Sequence, residues 1–297
     1  MVFFVVRRRS LRRFCSLALL LPVLLILPLL APPPHGSPAL AAAAPGTPLP
    51  VIMYHSLLMD PARAGKYVLS PQTLEADIVH LQQHGYQPVT LRQAVRYVQS
   101  GGSLPEKPVL LTLDDGYLNN LLYLPDILER TGAPVLVSVV GEYAQRFTDT
   151  PDPNPSYGHL TWSDISALVA CGRVEIGNHS WGFHAQSPRR GSMRLDGESA
   201  GQYRAALSAD ALRVQTALAE HCGVTPAVYT YPFGQISDGA DAILQELGFS
   251  ATLSCYERVT TLVPGQPETL LSIGRYNRPS GLSSRDFFAR IGLIPLD

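Results

Sequence analysis

An α/β fold built on a parallel sheet is what the sequence predicts, and three observations predict it. Short apolar runs rich in Val, Leu and Ile alternate with longer amphipathic stretches, helix caps and stops fall between them, and no linker or internal repeat divides the roughly 250 residues after the N-terminal segment. Alternation of this kind leads to parallel pairing, in a barrel or a doubly wound sheet. The length suffices for one large domain with a substantial core.

The first 45 residues stand apart. Five arginines between Arg7 and Arg13 precede an apolar run from Phe14 to Leu30, and an alanine-rich patch follows from Ala39 to Gly46. Positive, apolar and small residues in that order read as a secretory signal, with Ala39 to Ala41 as one cleavage point. The alternative is an uncleaved membrane anchor, which requires Pro22 and Pro28 inside a span. On either reading residues 1–44 direct export, and residues 45–297 form a domain that is secreted or held at the cell surface. Without those five arginines the 23 Lys and Arg fall to 18 against 24 Asp and Glu, a formal charge of −6. That balance argues against nucleic acid as a partner and suits a neutral or cationic polymer. Cys171, Cys222 and Cys255 remain after the signal; an odd count permits one disulfide at most, and no C-x-x-C pair suggests a metal or redox site.

The elements follow in order. Val51 to Tyr54 is a first strand. Ser70 caps a helix with Pro71 at its first position, Leu74, Ile78 and Leu81 recur at helical spacing, and Gly85 stops it. Further strands are expected at Val109–Leu113, Val135–Val140, Val174–Gly177, Ala227–Tyr231, Ala251–Ser254 and Leu270–Ile273. Helices are expected at Leu91–Gln99, Leu121–Arg130, Trp162–Ala170, Tyr203–His221 and Asp241–Leu247. Gly141–His159, with three prolines, and Phe183–Gly201, with three arginines, read as long loops.

Reactive residues in such folds gather where strands end at their C-terminal edge. Asp114 and Asp115 follow the Val109–Leu113 run directly, with Gly116 allowing a sharp turn. His179 follows the Val174–Gly177 run, with His184 five residues on. Five is not a one-face helical spacing, so the two histidines converge from a loop. Two histidines and a carboxylate make a three-ligand site that leaves a position on zinc for water. Asp-Asp-Gly alone is a common surface turn, and a lone His-Ser after a strand is usually structural; it is their joint position at strand ends that singles them out. His80 and His84 are a rival i,i+4 pair, but they flank the Gly85 stop with no strand-end carboxylate in view. His221 reads as a helix C-terminal residue favourable to the dipole. His159, before the Thr161 cap, has no assignment.

These residues resemble a known family. T-L-D-D-G at 112–116 is similar to the T-F-D-D-G motif of the polysaccharide deacetylases, carbohydrate esterase family 4. N-H-S-W-G-F-H at 178–184 resembles their H-S/T-x-x-H motif with one extra residue, and Y-P-F-G at 231–234 resembles the Pro-aromatic half of R-x-P-Y. The extra residue and the opening V-I-M-Y-H at 51–55 are similar to the poly-N-acetylglucosamine deacetylase branch. The resemblance runs from about residue 50 to residue 280. It implies an irregular (β/α) barrel and a divalent metal, usually zinc, held by Asp115, His179 and His184. It further implies Asp114 as general base, Ser180 steadying the histidine loop, and the Phe233 backbone N–H as oxyanion donor. The implied reaction removes N-acetyl groups from an amino-sugar polymer such as poly-N-acetylglucosamine, peptidoglycan or a chitin-like chain. The alternatives are an O-acetyl carbohydrate esterase and a non-catalytic polysaccharide-binding protein.

The chain departs from the family pattern twice. Thr230 stands where the third motif has arginine, and Arg275 in S-I-G-R-Y is the nearby substitute to tether the base. No histidine follows His221, whereas the family takes its general acid from a late one. Elimination then points to His55, at the C-terminal end of the first strand on the same edge as the metal ligands.

Overall fold

The computed structural model describes residues 46–296, and the predicted export segment lies outside them. The core is a parallel sheet of strands β1 (Val51–Tyr54), β2 (Pro108–Leu113), β3 (Val135–Val139), β4 (Val174–Asn178), β5 (Val228–Thr230), β6 (Ala251–Leu253) and β7 (Tyr276–Asn277). They lie side by side in the order β6-β5-β4-β3-β2-β1-β7, and the short segment Gln87–Pro88 joins β2 beside them. Every pairing along this path is parallel. Among the described residues no helix is long and apolar enough to cross a membrane.

Strands buried on both faces explain the near-continuous apolar runs. On β2, Val109, Leu111 and Leu113 pack outward against residues of α1 (Pro71–Gln83), α3 (Leu118–Thr131) and α5 (Trp162–Ala170). Leu110 points inward with Val51, Leu136 and Val228, closed at one end by Leu49 and by Leu91 and Ala94 of α2 (Leu91–Ser100). Side chains alternate along a strand, so the inward set of β2 continues as Thr112 and then Asp114. The interior passes from apolar side chains through hydroxyls to ionisable groups at the C-terminal edge. In the middle layer the Ser138 and Thr230 hydroxyls meet at 2.7 Å.

The sheet curls until its two edges share one segment. Ile273 bridges to Leu253 on β6, and three residues later β7 pairs with Ile52 and Met53 of β1. Residues 273–277 thus close the barrel as a single stave. The strand expected at Leu270–Ile273 does not form there, because Pro267–Leu270 makes a 3₁₀ turn. Pairing falls later because one segment has to reach both edges. Gly274 permits it: a Cβ there would stand 2.6 Å from the Arg258 carbonyl and 2.7 Å from that of Tyr256.

Helix caps match the sequence reading closely. The Ser70 hydroxyl accepts from Thr73 N at the start of α1, and Thr161 with Asp164 forms a reciprocal capping box at α5. Helix α4 (Gly141–Asp149) corrects the expectation of a loop at Gly141–His159. Its leading glycine reads as a breaker, yet it is needed for packing, since a Cβ at Gly141 would lie 2.6 Å from the Trp181 ring. The three prolines all follow the helix. α6 (Ala200–Cys222), α7 (Ala240–Glu246) and α8 (Ser284–Arg290) complete the helices the argument needs. Cys171, Cys222 and Cys255 are free thiols.

Candidate active site

The turn after β2 carries two carboxylates in opposite conformational states. Asp114 is still paired as strand, its N–H donating to the Tyr54 carbonyl at 3.0 Å. Asp115 has φ 72° and Gly116 φ 66°, so the chain doubles back within two residues. A left-handed aspartate is uncommon and persists where its surroundings hold it. The segment 158–160 does so: Leu118 N donates to Gly158 O and Leu160 N to Gly116 O, both at 2.8 Å, and the His159 ring holds the Asp115 carbonyl at 3.0 Å. That contact gives His159 a place that the sequence alone did not assign.

Asp115 Oδ1 lies 3.4 Å from His179 Nε2 and 3.1 Å from His184 Nε2. One ligand atom from each residue falls within 4.8 Å of the others. Three atoms at 2.0–2.2 Å from a tetrahedral ion would sit roughly 3.3–3.6 Å apart, so the set fits a small divalent cation. The tautomer agrees: His179 Nδ1 meets the Thr230 carbonyl at 2.8 Å, which as an acceptor fixes the proton there and leaves Nε2 a bare lone pair. His184 Nδ1 has the Tyr143 hydroxyl of α4 at 3.3 Å.

Asp114 faces a different partner. Arg275, fully buried on the closing stave, grips both its oxygens, Nη1 to Oδ1 and Nη2 to Oδ2, each at 2.8 Å. The guanidinium is fixed in turn by Nε on the Ser254 carbonyl at 2.8 Å. Burial alone would raise the Asp114 carboxyl, and the charge and hydrogen bonds of Arg275 reverse the direction and hold it low. Thr230 does not reach this pair through its side chain; its hydroxyl goes to Ser138 and its carbonyl to His179.

Ser180 is buried at φ 71°, and its hydroxyl has no hydrogen-bond partner among the described residues. The histidine loop is steadied by others: Asn178 Oδ1 accepts from Ser180 N at 2.9 Å, and Asp210 on α6 accepts from Trp181 N at 2.8 Å and Gly182 N at 2.7 Å. Sequence reasoning missed Asp210, and likewise Asn119 and Asn120 of α3. The Asn119 amide accepts from Leu57 N, and Asn120 donates to the His55 carbonyl at 3.0 Å, fixing the segment after β1. His55 packs its ring 4.7 Å from that of Tyr67, and its Nδ1 is buried without a partner among the described residues. Phe233, in the turn after β5 at φ 57°, sets its ring 4.5 Å from that of His184. His55, Asp114, Asp115, His179, His184 and Phe233 all border one open cavity of about 480 Å³. His80 and His84 sit together on α1, 4.3 Å ring to ring, and do not border it.

A family model for polysaccharide deacetylase matches residues 101–252, a span that takes in Asp114 to His184 and Phe233 but neither His55 nor Arg275. Poly-beta-1,6-N-acetyl-D-glucosamine N-deacetylase of Escherichia coli K12 is 27% identical over 221 residues, which are 67% of this chain and 32% of that protein. The chain thus spans about a third of the length of that relative. Among solved structures, IcaB from Ammonifex degensii superposes with a TM-score of 0.67 at 23% identity, covering 85% of this chain and 99% of that one. A de-N-acetylase from Aggregatibacter actinomycetemcomitans gives 0.66 at 22% identity, covering 81% and 99%. Both share the curled parallel barrel.

Proposed function

Since the chain belongs to the polysaccharide deacetylase family, we propose that it is an exported, metal-dependent hydrolase that removes N-acetyl groups from an amino-sugar polymer of the poly-N-acetylglucosamine kind. The observation that carries the reading is the division of labour between adjacent carboxylates: Asp115 faces the Nε2 atoms of two imidazoles, and Asp114 faces Arg275. A binding module has no need of a base beside a metal.

Asp115, His179 and His184 hold a divalent cation, most simply zinc, which when bound makes a water nucleophilic at neutral pH and polarises the acetyl carbonyl. Asp114 takes the proton of the attacking water. With both oxygens held by Arg275 it cannot swing round to join the ligands, so it stays a base. The Phe233 N–H donates to the developing oxyanion. His55 gives a proton to the leaving amine. Burial pushes His55 below the ordinary imidazole range against the pull of Asp114 and Asp115, and the proton it delivers is the one that Asp114 takes from the attacking water and passes on across the cavity.

Acetate release from a panel of acetylated glycans, with and without chelator, tests the reading. The wild type is expected to release acetate from amino-sugar polymers and to stop on metal removal. Asp114→Asn is expected to lose at least about a hundredfold in turnover while retaining metal, and His55→Ala a comparable factor. Tight metal binding with no acetate from any glycan would instead indicate a polysaccharide-binding protein, and release from O-acetyl sugars alone an esterase. Undiminished turnover in His55→Ala would remove His55 from the mechanism.

A further inference from the structure

Four non-glycine residues among those described have left-handed backbones: Asp115, Ser180, Phe233 and Ser272. The first three shape the candidate site. The fourth, Ser272 at φ 49°, does not border the catalytic cavity, yet it stands three residues before Arg275. Such a conformation costs energy and persists where its surroundings hold it. Here the hold is double: Ser272 N donates to Thr252 Oγ1 at 2.6 Å, and its hydroxyl donates to Asp241 Oδ2 at 2.9 Å.

Asp241, in the first turn of α7, has a second set of partners. Its Oδ1 accepts from the Thr252 hydroxyl of β6 and from the Tyr231 hydroxyl, each at 2.7 Å. Tyr231 is fully buried directly after β5, and Gly234 N donates to its carbonyl at 2.9 Å, so the turn that presents Phe233 hangs from it. One carboxylate therefore grips the residue two before the proposed oxyanion donor and the residue three before the arginine that clamps Asp114. Asp241 does not itself border the cavity. For the Phe233 N–H and Arg275 to serve one reaction, two segments distant in the chain must keep a common register, and a small displacement remote from the chemistry lowers the rate steeply. Resting on the deacetylase reading, we propose that Asp241 is a positioning residue, which sets the Phe233 turn and the Arg275 segment against one another through Tyr231 and Ser272.

The test measures kcat and KM on an N-acetylglucosamine tetramer. Asp241→Ala is expected to lose about 10–100-fold in kcat, with KM within about threefold of wild type. Asp241→Asn, which keeps an acceptor for Tyr231 and Thr252 and a donor toward the Ser272 hydroxyl, is expected to recover most of that loss. Tyr231→Phe and Ser272→Ala each remove one arm, and each is expected to lose about three- to tenfold in kcat. Combined with Asp241→Ala they are expected to add less than about twofold, because both act through the same carboxylate. These milder variants decide the matter if Asp241→Ala folds poorly. Full kcat in both single-arm variants, a loss lodged in KM, or an Asp241→Asn as slow as Asp241→Ala would overturn the proposal. If the wild type releases no acetate from any glycan, it is the deacetylase reading that fails, and hydrogen exchange then tests Asp241 without turnover. Residues 231–235 and 272–276 are expected to exchange about tenfold faster together in Asp241→Ala, and unchanged protection in either segment overturns the proposal.

Discussion

Arg275 and Asp114 lie 161 positions apart and form the tightest charged contact of the site. A buried carboxylate that loses its only guanidinium becomes an uncompensated charge, at a cost of about 3–5 kcal/mol. Arg275→Met is therefore expected to be destabilised and catalytically weak, and its pH profile carries the distinguishing sign. Burial would raise the Asp114 carboxyl and Arg275 lowers it below the usual carboxylate value, so the proposed base stays ionised to lower pH than it would without the arginine. Without the arginine the carboxyl rises and the base protonates sooner, so the acidic limb of kcat/KM against pH should move to higher pH. An unmoved limb would separate Arg275 from the base. The sequence shows Asp114, Asp115, His179 and His184 plainly, because each pair is local and ends a strand. It marks Arg275 only as a substitute for the missing arginine, since nothing local reveals which arginine a curled sheet brings inward.

Among the elements, the loop from His179 to His184 owes its shape to α6. Asp210 accepts the N–H groups of Trp181 and Gly182, the two residues at the crest between the ligands. Asp210→Ala is expected to weaken metal binding by about 10–100-fold, as outer groups that orient ligands commonly do, with helix content unchanged. Competition against a calibrated chelator measures it, and wild-type affinity would dismiss the role. Asp210 is invisible in the sequence for a physical reason: a carboxylate serving a distant backbone looks like any polar residue on a helix face. Elements with local signals are read well, as when the Thr161 cap starts a helix at Trp162 that runs to Ala170. Those defined by tertiary fit are not, as with Gly141 packed on Trp181 and the stave that pairs at Tyr276–Asn277.

The whole barrel is braced by a second buried ion pair. Arg278, just after β7, donates Nε to Asp77 Oδ2 at 2.8 Å and Nη2 to Oδ1 at 3.1 Å, and the Tyr54 hydroxyl of β1 joins at 3.2 Å. Both charged side chains are fully buried, so the strut binds α1, the first strand and the closing segment together. Asp77→Ala strands Arg278 and should cost about 3–5 kcal/mol, lowering Tm on the order of 10 °C by calorimetry. A midpoint within about 2 °C of wild type would deny the strut its role. The closing stave also imposes a timetable. The three proposed ligands are complete once His184 has been made, but the clamp on Asp114 waits for Arg275, directly before the last strand among the described residues. On the proposed reading, a nascent or truncated polypeptide would own all three proposed metal ligands and still be inert, and hydrolysis would begin only when the barrel shuts.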